Sequence, residues 1–117
     1  MGLIGSSLAR VCRRKGLARE IVATDSSGAV RARVTELALA DQIVATAAAA
    51  VEAADLVILC APVGVMGAIA QEIGPRLKPG AIVSDVGSVK ASIIKAVAPH
   101  LPAEVHFVPS HPVAGTE

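Results

Sequence analysis

The chain has 117 residues, 53% of them hydrophobic, and a formal net charge of +1. This length suits one domain, and the large apolar fraction excludes a disordered chain and a small disulfide-stapled scaffold. The nearly balanced charge gives no reason to expect nucleic acid or an anionic membrane as a partner, so we expect a small molecule. Phe107 is the only aromatic residue, and a core of Val, Ile, Leu and Ala is typical of parallel sheets.

The cysteines and the apolar segments indicate in which cellular compartment the protein is expected. Cys12 and Cys60 lie far apart and have no second Cys or His at ligand spacing, which argues against a metal site and a disulfide framework. No apolar stretch reaches the ~18 residues that span a bilayer. The chain begins with apolar residues and becomes basic later, the reverse of a signal peptide. We therefore predict a cytoplasmic protein without a metal or a membrane partner.

Helix and strand patterns alternate along the chain. Helical spacing of apolar residues predicts helices over residues 5–15, 30–37, 47–54, 66–73 and 93–97, the second with Val30, Val34 and Leu37 on one face. Strands are predicted over residues 20–25, 41–46, 56–61, 81–86 and 105–108. The continuous apolar runs at 56–61 and 81–86 are typical of strands covered by helices on both faces. This alternation predicts an α/β fold with a Rossmann-type doubly wound parallel sheet, whose ligand crevice lies at the carboxyl ends of the strands.

The first residues match part of a phosphate-binding loop. Gly2, Leu3, Ile4 and Gly5 fit the last four positions of G-x-G-x-x-G, where the middle glycine admits a pyrophosphate and the last lets helix and strand pack closely. Gly-x-x-Gly also opens ordinary helices, so the loop alone leaves both interpretations open. The motif's first glycine and its strand would precede Met1, so we expect the first, central strand to be missing and two internal sheet edges to be open.

Asp25 follows Gly5 by about 20 residues, at the end of a predicted strand. A carboxylate there accepts hydrogen bonds from the adenosine ribose and repels a 2′-phosphate, which predicts NAD rather than NADP. Ser26, Ser27 and Gly28 follow, so Asp25 is alternatively a helix N-cap or a turn residue, and both roles are compatible with ribose binding.

Ser88 and His111 also follow predicted strands. Hydride transfer from a hydroxyl-bearing carbon needs a group that takes the hydroxyl proton, and a neutral histidine does this near pH 7. His111 alone among the three histidines lies in a loop at the carboxyl end of a strand. The alternatives are a surface histidine and a serine that caps the helix near Lys90.

Three segments, residues 2–9, 85–90 and 111–117, together with Ala61, Pro62 and Val63, resemble the prephenate/arogenate dehydrogenases over essentially the whole chain. The resemblance implies NAD-dependent oxidative decarboxylation of prephenate or arogenate in tyrosine biosynthesis. It implies that His111 accepts a hydrogen bond from the ring hydroxyl, that Ser88 orients this hydroxyl, and that Thr116 and Glu117 lie at the substrate and nicotinamide pocket. The cofactor-binding residues would be Gly2, Leu3, Ile4, Gly5, Asp25, Ala61, Pro62 and Val63.

The same resemblance implies parts that are not in this sequence. The family's arginine that holds a substrate carboxylate belongs to a following helical domain, which also forms a homodimer. We therefore expect residues 1–117 to be a partial NAD-binding Rossmann domain that is unstable and inactive when purified alone. Two alternatives remain, another Rossmann reductase acting on a hydroxy acid or imine and a non-catalytic nucleotide-binding module, and the first leaves residues 111–117 unexplained.

Overall fold

The computed structural model describes residues 1–113. Within them, helices α1 (Leu3–Lys15), α2 (Gly28–Glu36), α3 (Ala47–Val51), α4 (Val63–Ile73) and α5 (Lys90–Val97) alternate with strands β1 (Val22–Ala23), β2 (Gln42–Ile43), β3 (Leu56–Leu59), β4 (Ile82–Asp85) and β5 (His106–Val108). Each predicted helix and strand is found, but every strand is shorter than predicted. Within residues 1–113, no helix has both the length and the apolar character needed to cross a membrane.

The strands form two separate parallel sheets. β1 pairs with β2, and β4 lies between β3 and β5. These pairs correspond to strands 3-2 and 4-5-6 of the doubly wound order 3-2-1-4-5-6. The α/β prediction is confirmed, and the break between the sheets lies where the sequence predicts open internal edges.

Only one face of the larger sheet is covered within residues 1–113. The helices α4 and α5 pack on it and form a core with the inward residues of β3 and β4, which includes Leu59, Met66, Val83, Ile93 and Val97. On the other face the apolar residues Leu56, Ile58, Ile82 and Val108 are between 37% and 54% exposed. The prediction of strands covered on both faces is therefore wrong here, because right-handed crossovers put both connecting helices on the same side.

A smaller core joins α1 and α2 to the β1–β2 sheet. It is formed by Ala9, Ala23, Val34 and Leu39. Leu37, predicted on the buried face of α2, is instead 39% exposed. The helix ends at Glu36, and the chain then turns so that Leu39 enters the core in its place.

The helices α1 and α2 end in the same hydrogen-bonded motif. The N–H of Leu17 donates to the carbonyl of Cys12 (3.0 Å) in α1, and the N–H of Leu39 donates to the carbonyl of Val34 (3.2 Å) in α2. This motif requires a left-handed residue just after the helix, usually glycine. Gly16 fills that place in α1, with φ 62°, whereas α2 uses Ala38, with φ 49°.

We predict that Ala38→Gly raises the free energy of unfolding by about 0.5–1 kcal/mol. Alanine is sterically strained in the left-handed region, and glycine is not. The relief of this strain exceeds the stability lost through the extra conformational entropy that glycine gives the unfolded chain. The matched variant Gly16→Ala should lower stability by a similar amount. Urea unfolding followed by circular dichroism measures both, and a destabilised Ala38→Gly protein would contradict the prediction.

Candidate functional site

A groove of about 350 Å³ lies between the start of α1 and the carboxyl ends of β3 and β4. This glycine groove is lined by Gly2, Leu3, Ile4, Gly5, Cys60, Ala61 and Val86. The first turn of α1 forms one wall, and its N-cap, Gly2, supplies no side-chain cap. An α-helix leaves its first N–H groups without intrahelical partners, and these groups, with the helix dipole, attract a phosphate. The wall therefore has the chemistry of an anion site.

The two glycines of the loop differ in their surroundings. A methyl group at Gly5 would lie 2.9 Å from Met1 Cγ and 3.2 Å from Cys60 Cβ, so glycine is what lets α1 approach the end of β3. A methyl group at Gly2 would meet no atom within 4 Å. Packing thus explains Gly5 but not Gly2, whose missing side chain leaves open space in the groove. These are the roles that the motif assigns to its last and middle glycines.

Asp25 lies at the end of β1 beside the start of the glycine loop. Its carboxylate accepts hydrogen bonds from the Met1 amino group and from the Ser27 N–H, the latter at 2.9 Å. Ser27, not Asp25, is the N-cap of α2 and accepts the Val30 N–H. The N-cap interpretation of Asp25 is therefore wrong and the turn interpretation is confirmed. Burial raises the pKa of Asp25, but the hydrogen bonds from Met1 and Ser27 outweigh it, so the pKa lies below its ordinary value.

A second groove, of about 240 Å³, adjoins the first. This histidine groove is lined by Ile4, Leu8, Ile58, Ser84, Val86, Ser110, His111 and Pro112. It shares Ile4 and Val86 with the glycine groove, so the two form neighbouring parts of one crevice. His106 lies in β5 and His100 ends the short 3-10 turn after α5, and neither lines these grooves. The crevice lies at the carboxyl ends of the strands, as the fold predicts.

Ser88 lies in the turn between β4 and α5. It is exposed and lines neither groove. The N-cap of α5 is Val89, and it has no side-chain cap, so the alternative in which Ser88 caps this helix is wrong. Its neighbours connect it to the histidine groove instead. Gly87 and Lys90 both donate hydrogen bonds to the buried Asp85 carboxylate, which also accepts the Ser110 N–H.

The remaining predicted site residues fall in different places. Ala61 lines the glycine groove, whereas Pro62 and Val63 begin α4 and line neither groove. Val63 packs beneath the turn that carries Ser88, since a methyl group at Gly87 would lie 3.3 Å from its Cγ2 atom. The predictions for Thr116 and Glu117 lie outside the described residues.

Three groups in this region were not predicted from the sequence as site residues. They are Cys60, whose thiol pKa is raised by burial at the glycine groove, and the polar residues Asp85 and Ser110. Both cysteines are free thiols. Across residues 1–113, His, Cys, Asp and Glu side chains do not gather in a group of three that would hold a metal.

Comparisons with known proteins point to one family. Residues 8–117 match the model of the family described as prephenate dehydrogenase, nucleotide-binding domain. A cyclohexadienyl dehydrogenase of Zymomonas mobilis is 44% identical over 117 residues, which are 100% of this chain and 40% of that protein. The chain therefore spans about two fifths of the length of this curated relative.

Two solved structures share the fold. The prephenate dehydrogenase from A. aeolicus, in complex with hydroxyphenyl propionate and NAD+, superposes with a TM-score of 0.84 at 30% identity, over 97% of this chain and 40% of that one. A Synechocystis arogenate dehydrogenase gives a TM-score of 0.83 at 30% identity, over 97% of this chain and 39% of that one.

Proposed function

The chain belongs to the prephenate dehydrogenase family, whose nucleotide-binding domain it matches over residues 8–117, and on that basis we propose that it forms the NAD site of an enzyme that oxidatively decarboxylates prephenate or arogenate. One observation carries this proposal. The groove that contains His111 shares Ile4 and Val86 with the groove formed by the first turn of α1. A histidine beside a helix N-terminus is what a hydride-transferring site needs.

The glycine groove would hold the pyrophosphate part of a dinucleotide. Its volume of about 350 Å³ is within the range of small-molecule sites. The pyrophosphate would lie against the first turn of α1, where Gly2 leaves open space. Asp25 would accept hydrogen bonds from the adenosine ribose through its carboxylate oxygens. Pro62 and Val63 would contribute only through the backbone that follows Ala61.

NAD+, when bound, supplies the acceptor for the hydride. In the proposed reaction the ring carbon that bears the hydroxyl loses a hydride, the ring carboxylate leaves as carbon dioxide, and the ring becomes aromatic. Prephenate would give 4-hydroxyphenylpyruvate, and arogenate would give tyrosine. His111 accepts a hydrogen bond from the ring hydroxyl and polarises it, so that the developing positive charge on the ring carbon is stabilised. Ser88 would orient the same hydroxyl, and the family resemblance assigns Thr116 and Glu117 to the substrate and nicotinamide pocket.

Asp25 provides a test of cofactor choice. We predict that Asp25→Ser weakens NAD+ binding about tenfold and strengthens NADP+ binding, because the repulsive carboxylate is lost while Arg31, which donates to the Asp25 carbonyl at 2.6 Å, remains nearby. Adding Ser26→Arg should extend the change. Titration of the complete enzyme that contains this chain with NADH and NADPH, followed by nucleotide fluorescence, measures both affinities.

A matched variant controls for general damage to this region. Arg31→Met in the Asp25→Ser background should remove the gain in NADP+ affinity without restoring NAD+ affinity. Unchanged NAD+ affinity in Asp25→Ser would show that Asp25 is a turn residue only. The full proposal is tested by measuring whether the complete enzyme forms NADH when supplied with either substrate.

A further inference from the structure

A fully buried carboxylate lies between the two segments that carry Ser88 and His111. Asp85 is the last residue of β4 and has 0% of its surface exposed. One carboxylate oxygen, Oδ2, accepts the Gly87 N–H at 2.8 Å and the Lys90 ammonium. The other, Oδ1, accepts the Ser110 N–H at 3.3 Å. A single side chain thus joins the turn after β4, the first residue of α5 and the loop after β5.

All three polar groups of Ser110 are held by this arrangement. Its N–H donates to the Asp85 carboxylate, its hydroxyl donates to the Asp85 carbonyl, and its own carbonyl accepts from the Lys90 ammonium. The Ser84 hydroxyl also donates to the Ser110 hydroxyl, at 3.2 Å. The N–H and the carbonyl of the residue immediately before His111 are therefore both held by hydrogen bonds.

The turn that carries Ser88 is equally constrained. A methyl group at Gly87 would lie 2.4 Å from Ile93 Cδ1 and 3.3 Å from the Asp85 carboxylate, so the turn is packed tightly against the core. Ser88 is flanked by Gly87 and Lys90, both of which donate to Asp85. The exposed Ser88 side chain thus projects from a short segment that is tied down at each end.

We propose that Asp85, Lys90 and Ser110 form a clasp that sets the position of Ser88 relative to His111, and that Asp85 is a positioning residue for the reaction. The inference rests on the proposed function, in which these two side chains act on the same substrate hydroxyl. Buried ion pairs add little net stability compared with apolar packing. An ion pair between the buried Asp85 and the partly exposed Lys90 that joins two active-site segments is better explained by the geometry that it imposes, because a displacement of ~1 Å costs about 100-fold in rate.

The test uses Asp85→Asn, Lys90→Met and Ser110→Ala in the complete enzyme. Asp85→Asn and Lys90→Met remove a charged partner of the clasp, and Ser110→Ala removes the hydroxyl that donates to the Asp85 carbonyl. None of them substitutes Ser88 or His111. We expect kcat per folded active site to fall about 10- to 100-fold, with the KM for NAD+ within about 2-fold of wild type. Lys95→Met is the matched control, since Lys95 is an exposed cation on the same helix, and its kcat should not change. Lys90→Arg keeps the charge and should recover part of the loss.

The outcomes separate positioning from a structural role. If the variants only lower the amount of folded protein while each folded site keeps the wild-type kcat, the clasp is structural and the inference is wrong. If Asp85→Asn does not fold, Lys90→Met decides, because Lys90 is partly exposed and its loss removes the links to both the Asp85 carboxylate and the Ser110 carbonyl. A wild-type enzyme that forms no NADH would contradict the proposed function and the positioning role with it. Wild-type rates in all three variants of an active enzyme would contradict the clasp alone.

Discussion

Replacing His111 with Asn is expected to lower prephenate- or arogenate-dependent NADH formation by about 10³-fold, because the group that polarises the ring hydroxyl is lost. The dissociation constant for NAD+ should change less than about 2-fold, since His111 lines the histidine groove and not the glycine groove. The side chain is exposed, so the free energy of unfolding should also remain close to wild type. Initial rates and isothermal titration with NAD+ measure the two effects separately.

The other two histidines are matched controls for this experiment. His100→Asn and His106→Asn lie outside both grooves and should retain nearly full activity. Persistent activity in His111→Asn would remove His111 from the mechanism. If the wild-type protein binds NAD+ but oxidises neither substrate, the alternative of a non-catalytic nucleotide-binding module gains support. Oxidation of some other hydroxy acid would favour a different Rossmann reductase.

The second large effect is expected at Gly2. We predict that Gly2→Val weakens NAD+ binding by about 10- to 100-fold, because the added side chain occupies the space that a pyrophosphate needs. Gly2 has φ −81° and ψ −163°, which any residue adopts, and a Cβ there meets no protein atom within 4 Å. The free energy of unfolding should therefore fall by less than about 1 kcal/mol.

Gly5 serves as the control, because substitution there is expected to lower the stability of the fold, whereas substitution at Gly2 is expected to lower NAD+ affinity. Gly5→Ala should destabilise the fold by about 1–3 kcal/mol, because its methyl group would contact Met1 and Cys60 in the packed start of α1. Comparison of urea midpoints with NAD+ affinities for the two variants distinguishes a ligand-facing glycine from a packing glycine. A Gly2→Val protein that binds NAD+ normally would mean that the pyrophosphate does not lie in this groove.

Local sequence patterns predicted where the helices and strands lie, but they did not predict correctly what packs against each face of the sheet. Apolar periodicity identified each helix and strand because core-facing residues recur at the period of the element. The same patterns predicted coverage on both faces of the sheet, and this was wrong for Leu56 and Ile58, which are exposed within residues 1–113. An apolar run shows that both faces of a strand are apolar and suited to packing. It does not report whether the crossovers bring a helix to that face.

The candidate site shows a similar limit. The glycine loop and Asp25 are recognisable because their chemistry depends on spacing along the chain. The connection between Ser88 and His111 depends on the pairing of β4 with β5, which brings Ser110 to Asp85 across 25 residues of sequence. The residues next to Asp85 and Ser110 in the sequence form no pattern that predicts the contact between them. An acid at the end of one strand and a lysine at the start of the next helix are the only sequence signals, and they also fit an ordinary helix start.

The most direct test of the central claim is the stoichiometry of the reaction catalysed by the complete enzyme that contains this chain. With NAD+ and either prephenate or arogenate, we predict equal amounts of NADH, carbon dioxide and the aromatic product, and loss of all three in His111→Asn. The formation of NADH without carbon dioxide, or no NADH from either substrate, would contradict the account.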